Sequence, residues 1–168
     1  MGVVLVTGGA GYIGSHAVKA LRDAGSAVVV LDSLVAGHRD AIVGVPFVQA
    51  DIADRDEVRK VIREYHVMAV IHFAAFLSVR ESVSVPNLYY RNNVIKTLDL
   101  LDTLVEESIE HFVFSSSAAV YGNPDAVLID EDHRTVPVNA FGETKLAIER
   151  ALLHYGTAYG LRLSLIHI

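Results

Sequence analysis

Three serines, Ser115, Ser116 and Ser117, close the run FVFSSSAAVYG, and Phe141 and Lys145 follow in VNAFGETKLAIER. A spacing of four residues puts Phe141 and Lys145 on one face of a helix. An aromatic residue, a lysine and a serine are the parts needed to pass a hydride between an alcohol and nicotinamide, provided the aromatic residue is a phenol. A phenolate takes the alcohol's proton, and a nearby ammonium lowers the phenol's pKa from about 10 toward neutrality. The serine hydroxyl holds the reacting oxygen. Lys145 and Ser117 suit these roles, whereas Phe141 carries no hydroxyl. The plain alternatives are a core aromatic and serines that cap the next turn.

Such chemistry needs a dinucleotide, and VLVTGGAGYIGSH offers a place for one. Gly8, Gly11 and Gly14 lie between an apolar run and a helical pattern. Glycines there turn the chain tightly, admit a phosphate to the backbone and seat the helix on the sheet. The helix start, at Tyr12 and Ile13, presents free N–H groups and a partial positive charge to a pyrophosphate. Asp32 ends the next apolar run, where a carboxylate accepts from the ribose hydroxyls and repels a 2′-phosphate. This favours NAD over NADP, a preference that His38 and Arg39 weaken slightly. Ligands in such sheets lie beyond the carboxyl ends of the strands. Asp51 and Ile52 are therefore expected beside the adenine, and Phe73, Ala74 and Ala75 along the cofactor's middle. His72, in the same run, reads as a satisfied strand histidine rather than a base.

The elements that would carry these residues follow from the hydrophobic pattern. Strands are expected at 3–7, 27–32, 46–51, 68–74, 111–116 and 161–166, apolar throughout as in a parallel sheet covered on both faces. Helices are expected at about 11–24, 54–65, 86–107 and 140–159, with Pro86 opening the third. The alternation predicts an α/β fold, a doubly wound parallel sheet of the Rossmann type, with strand order 3-2-1-4-5-6. The 168 residues make one domain, 1–168.

Composition narrows the function classes. Fourteen basic against twenty acidic residues, with no basic run, argue against a nucleic-acid partner. No apolar run reaches the roughly 18 residues of a membrane span, and the short apolar start lacks the form of a secretion signal. The chain has no cysteine, which excludes a thiol nucleophile and a disulfide framework and fits the cytoplasm.

VTGGAGYIGSH, VIHFAA, ESVSVPNLYYRNNV, FVFSSSAAVYGNP and KLAIE together resemble the extended short-chain dehydrogenase/reductase family, nearest to its UDP-glucose 4-epimerases. The resemblance implies a permanently held NAD, oxidation of a UDP-hexose at C4, and return of the hydride to the other face of the 4-keto sugar. It implies that Gly8, Gly11, Tyr12, Ile13 and Gly14 bind the pyrophosphate and Asp32 the ribose. Asp51, Ile52, Phe73, Ala74, Ala75 and Asn92 would line the rest of the cofactor. Ser117 becomes the catalytic serine and Lys145 the lysine on the nicotinamide ribose. A loop from Pro124 to Pro137 would fall near the substrate, and the third and fourth expected helices, which in the family often pair across a homodimer, have apolar stripes that equally serve the sheet.

Three departures accompany the resemblance. Phe141 stands where the family has its proton-transferring tyrosine. Leu77 stands where a lysine often meets the cofactor. The family's motif after the sixth strand, and its C-terminal UDP-sugar domain, have no counterpart; the match is expected to stop at Leu165, with IHI a remnant. That absent domain is expected to leave apolar surface on the sixth strand and fourth expected helix. The expected function is a nucleotide-sugar 4-epimerase impaired at residue 141. The alternatives are an inactive NAD-binding module or sensor, and a sugar-nucleotide 4,6-dehydratase. Ala118 and Ala119 count against the dehydratase, which needs acidic residues there.

Overall fold

The computed structural model describes residues 2–125 and 128–168. Six parallel strands form one sheet: β1 (Val3–Thr7), β2 (Val28–Asp32), β3 (Phe47–Gln49), β4 (Val67–His72), β5 (His111–Ser116) and β6 (Arg162–His167). Their order is β3-β2-β1-β4-β5-β6, as expected. Alternate residues of each central strand serve opposite layers. Leu5, Val29 and Leu31 join one cluster, and Val6, Val28 and Val30 join the other.

The first layer is covered by α2 (Arg55–Tyr65), α5 (Lys96–Glu106) and α6 (Ala140–Tyr159). Val58, Ile62, Leu100, Leu104, Ile148 and Leu152 press from these helices onto Phe112 and Phe114. Each such aliphatic side chain stabilises the fold by about 1.5–3 kcal/mol on burial. The second layer is covered by α1 (Tyr12–Asp23), which contributes Val18.

The third expected helix is neither uniform nor alone. It runs as α4 (Pro86–Tyr89), a π-helical segment (Tyr90–Ile95) and then α5. A short α3 (Val79–Ser84) precedes it, capped by Ser78, whose Oγ accepts from Glu81 N. The S-x-x-E spacing was the available signal for α3. Asn93 accounts for the π segment. Its Oδ1 accepts from Phe76 N at 2.8 Å and its Nδ2 donates to Phe76 O at 3.0 Å. These bonds draw Asn93 into the wall, and the widened turn leaves Asn92 facing the cleft.

β3 is shorter than expected, because its register with β2 covers only Phe47–Gln49; Ala50 N makes the last bond, to Asp32 O, and Asp51 turns away into a local contact with Ala53 N. Residues 126 and 127 of the expected loop from Pro124 to Pro137 lie outside the described residues.

Candidate functional site

β1 ends in a turn that only glycine can make. Gly8 has φ +71°, and a Cβ on it would stand 2.4 Å from Ala74 N. A Cβ on Gly14 would meet Gly8 O at 2.3 Å, so helix and turn are in direct backbone contact. Gly11 differs from both. A Cβ there would have Gly8 O at 3.4 Å as its only close neighbour, so the missing side chain keeps the cleft open rather than relieving a clash. No side chain caps α1 at Gly11 and no acid occupies its first turn. The leading N–H groups and the helix dipole therefore face the cleft.

Asp32 ends β2 and is buried. Its Oδ2 accepts from Ala10 N at 2.9 Å and its Oδ1 from Leu34 N at 2.8 Å. Both oxygens are thereby fixed beside the glycine turn, each with a lone pair left. Arg39 turns elsewhere, donating to Ile42 O and stacking over Phe47 at 4.5 Å, while His38 N donates to Ala10 O.

Two clefts meet at this turn. One, of about 330 Å³, is walled by Asp32, Asp51, Ile52, Ala74, Ala75 and Asn92, among others. The other, of about 200 Å³, is walled by Ile13, Gly14, Ser117, Phe141 and Lys145. Gly8, Gly11, Tyr12, Phe73 and Leu77 belong to both. All the residues expected around a dinucleotide thus line one continuous groove over the carboxyl ends of the strands. Two clefts meeting at a backbone cradle, with a carboxylate in one of them, suit two nucleotides joined by a pyrophosphate.

The serines divide their tasks. Ser115 O accepts from Lys145 Nζ at 2.8 Å. Ser116 Oγ donates to the buried Glu149. Ser117 Oγ accepts from Ala119 N at 3.2 Å, capping a short 3₁₀ turn (Ala118–Tyr121), and donates to Ile168 O at 3.1 Å. Capping and exposure to the cleft are therefore combined in Ser117.

Phe141 and Lys145 sit one turn apart near the start of α6, both buried. Asn139 caps that helix, its Oδ1 accepting from Gly142 N at 2.9 Å. Burial lowers the Lys145 pKa from its ordinary value to about 8, an effect the Glu149 carboxylate opposes. Glu149 has no sequence-based role above, although it stands one turn beyond Lys145 in KLAIE. Lys96, which pairs with Asp51, was also overlooked.

His72 is a structural residue, as expected. Its Nδ1 lies 2.7 Å from Thr7 Oγ1 and its Nε2 3.2 Å from Thr97 Oγ1, tying β1, β4 and α5 together. Burial first, and then the Lys145 charge, lower its pKa to about 3, so it is neutral.

Residues 4–167 match the model of the NAD dependent epimerase/dehydratase family. The chain belongs to that family. The match runs two residues past Leu165, where the motif resemblance was expected to stop, and β6 continues to His167. Among curated members of the family, the UDP-glucose 4-epimerase of Azospirillum brasilense is 51% identical over 160 residues, covering 95% of this chain and 46% of the relative. That of Halalkalibacterium halodurans is 47% identical over 159 residues, covering 95% and 48%. The chain spans about half the length of the curated relatives it matches. Among solved structures, UDP-glucose 4-epimerase from Brucella ovis in complex with NAD superposes with TM-score 0.97 at 44% identity, over 99% of this chain and 51% of that one. The enzyme from Bifidobacterium longum in complex with NAD+ and UDP gives 0.95 at 33% identity, over 98% and 52%.

Proposed function

We propose that this chain is the NAD-binding part of a UDP-hexose 4-epimerase whose proton transfer is impaired at residue 141. The observation that carries this reading is the continuous groove, with Asp32 at one end and Ser117 and Lys145 at the other. The cradle at Gly11 and the uncapped start of α1 fit a pyrophosphate, and the paired oxygens of Asp32 fit a ribose. Asp51 and Ile52 would flank the adenine, while Phe73, Ala74, Ala75 and Asn92 would wall the middle.

NAD, when bound, would supply the hydride acceptor and donor. Lys145 would hold the nicotinamide ribose and keep a positive charge in the cleft. Ser117 would bind the sugar's reacting oxygen. The proton of that oxygen has no place to go at Phe141, which offers neither lone pair nor acid. Turnover is therefore slow even where binding is intact, since such acid–base assistance is worth about 10²–10⁴-fold. The second reading, an NAD-binding module without turnover, is favoured by the same ring.

The whole protein would extend beyond these residues into a substrate-binding domain, the chain's share being 1–168. It would act on a UDP-sugar in the cytoplasm. Among the described residues no helix is long and apolar enough to cross a membrane. A homodimer through α4, α5 and α6 is supported by the exposure of Leu88 on α4 and of Leu153 and Tyr159 on α6. Calorimetry with NAD tests the binding half of the reading: saturable one-to-one binding is expected, and its absence refutes it.

A further inference from the structure

One turn beyond Lys145, α6 carries a carboxylate that the reading above leaves without a task. Glu149 is 9% exposed and Lys145 is 3% exposed. Lys145 walls the cleft, and Glu149 is not among the residues that do. Two strands hold the carboxylate instead. Ser116 of β5 donates its hydroxyl to Glu149 Oε1, and His167 Nε2 of β6 lies 3.0 Å from the same oxygen.

A buried ammonium without a counter-charge is costly and tends to shed its proton. The groups around Lys145 come from three elements. β5 supplies Ser115 O and the Phe114 ring, β4 the neutral His72, and α6 itself Phe141 and Glu149. A carbonyl and two ring faces attract a cation but carry no net charge. Among these groups Glu149 alone is negative, and the spacing of four residues brings it to the lysine's face of the helix. Besides Ser116 and His167, Glu149 faces the Tyr121 phenol of the 3₁₀ turn, which burial, and then that carboxylate, keep protonated.

We propose that Glu149 is a positioning residue that holds the positive charge of Lys145 in the cleft, acting through the lysine and touching no ligand. What the charge then does, holding the nicotinamide ribose, rests on the NAD reading above; the presence of the charge does not. Ser116 gains a part as well. Its hydroxyl aims the carboxylate, which gives the second serine of the triplet a task apart from Ser117.

Competitive acetylation of the unliganded chain, read by mass spectrometry across a pH series, follows the Lys145 amine against the exposed Lys19 and Lys60. The unaltered chain is expected to show a Lys145 midpoint of about 8. Glu149→Gln keeps an acceptor for Ser116 and removes only the charge, so the midpoint is expected to fall and labelling at neutral pH to rise several-fold. Glu149→Asp restores the charge and is expected to return the midpoint toward that of the unaltered chain. Equal midpoints in all three, or a fall in the Asp form as large as in the Gln form, overturn the assignment. A second measurement needs no substitution. The carboxyl carbon resonance of Glu149 in the unaltered chain is expected to move through the Lys145 midpoint, and a resonance that stays flat there overturns the assignment too. Calorimetry with NAD is kept separate: the Gln form is expected to lose affinity at a lower pH than the unaltered chain. Binding by neither form refutes the NAD reading and leaves acetylation to decide this one.

Discussion

The ammonium of Lys145 lies 5.9 Å from the ring centre of Phe141 and 4.9 Å from that of Phe114, and it donates to Ser115 O. It is therefore enclosed by two aromatic faces and one carbonyl, with no phenolic oxygen from residue 141. A cation over aromatic faces is attracted to their electron density. This environment fixes the lysine's position with no contribution from a phenolic oxygen at residue 141.

Restoring that oxygen should restore chemistry. Phe141→Tyr adds one atom at a position already lining the cleft, beside a lysine whose charge favours the phenolate. In a protein that joins residues 1–168 to a substrate domain, the tyrosine form is expected to turn over a UDP-hexose about 10²–10⁴-fold faster than the phenylalanine form. Transient absorbance of reduced nicotinamide and separation of the product epimers are the measurements. Equal rates would show that Phe141 is only a core aromatic.

Asp32 gives a second expectation, concerning cofactor choice. Its two oxygens are already aligned by Ala10 N and Leu34 N, so a 2′-phosphate would approach a fixed negative charge. Asp32→Ala should weaken NAD binding and narrow the gap to NADP. The pair of titrations must be run at one ionic strength, because the repulsive part is screened by salt. Tighter binding of NADP than NAD by the unaltered chain would refute the assignment.

Most of this groove was legible before the fold was known, and the reasons are local. Gly8, Asp32 and the β-branched runs each obey a spacing rule that works within one strand–turn–helix unit. The parts that escaped notice depend on contacts distant in sequence. The π-helical widening at Tyr90–Ile95 is set by Asn93 bonding to Phe76, 17 residues away. The Asp51–Lys96 pair spans 45 residues, and Ser116–Glu149 spans 33. No periodicity within a single element encodes such partners. The short α3 is different: its cap, Ser78 with Glu81, is local in sequence, yet no helix was expected there.

Exposed apolar surface supplies a third expectation. Along β6, the edge strand, Leu165 and Ile166 are more than a third exposed, and α6 presents Leu153 and Tyr159 at 64% and 62%. Exposed apolar surface favours association where it is contiguous. The 168-residue chain is expected to self-associate and to bind a hydrophobic dye at neutral pH. Replacing Leu153 and Tyr159 together by Glu should reduce both signals without loss of helical circular dichroism. A strictly monomeric chain in light scattering, with no dye binding, would contradict it.

Two buried basic groups, His72 and Lys145, shape the dependence of stability on pH. His72 titrates at about 3 when folded against an ordinary value of 6.5. The unfolded chain thus binds a proton that the folded chain refuses, and stability falls as pH drops from about 6.5 toward 3. Lys145 titrates at about 8 when folded against 10.5. Between those values the unfolded chain again holds the extra proton, so its contribution rises with pH from about 8 upward. Each group can tilt the profile by at most about 1.4 kcal/mol per pH unit. Above about pH 10 the trend reverses, because burial raises the pKa values of Tyr89, Tyr121 and Tyr155, and folding then resists their ionisation. Urea unfolding at intervals from pH 4 to pH 10 reads both limbs. His72→Gln should flatten the acid limb below pH 6.5, and Lys145→Met should flatten the rise between pH 8 and pH 10. If Lys145→Met leaves that rise unchanged, the amine is not the group that titrates there.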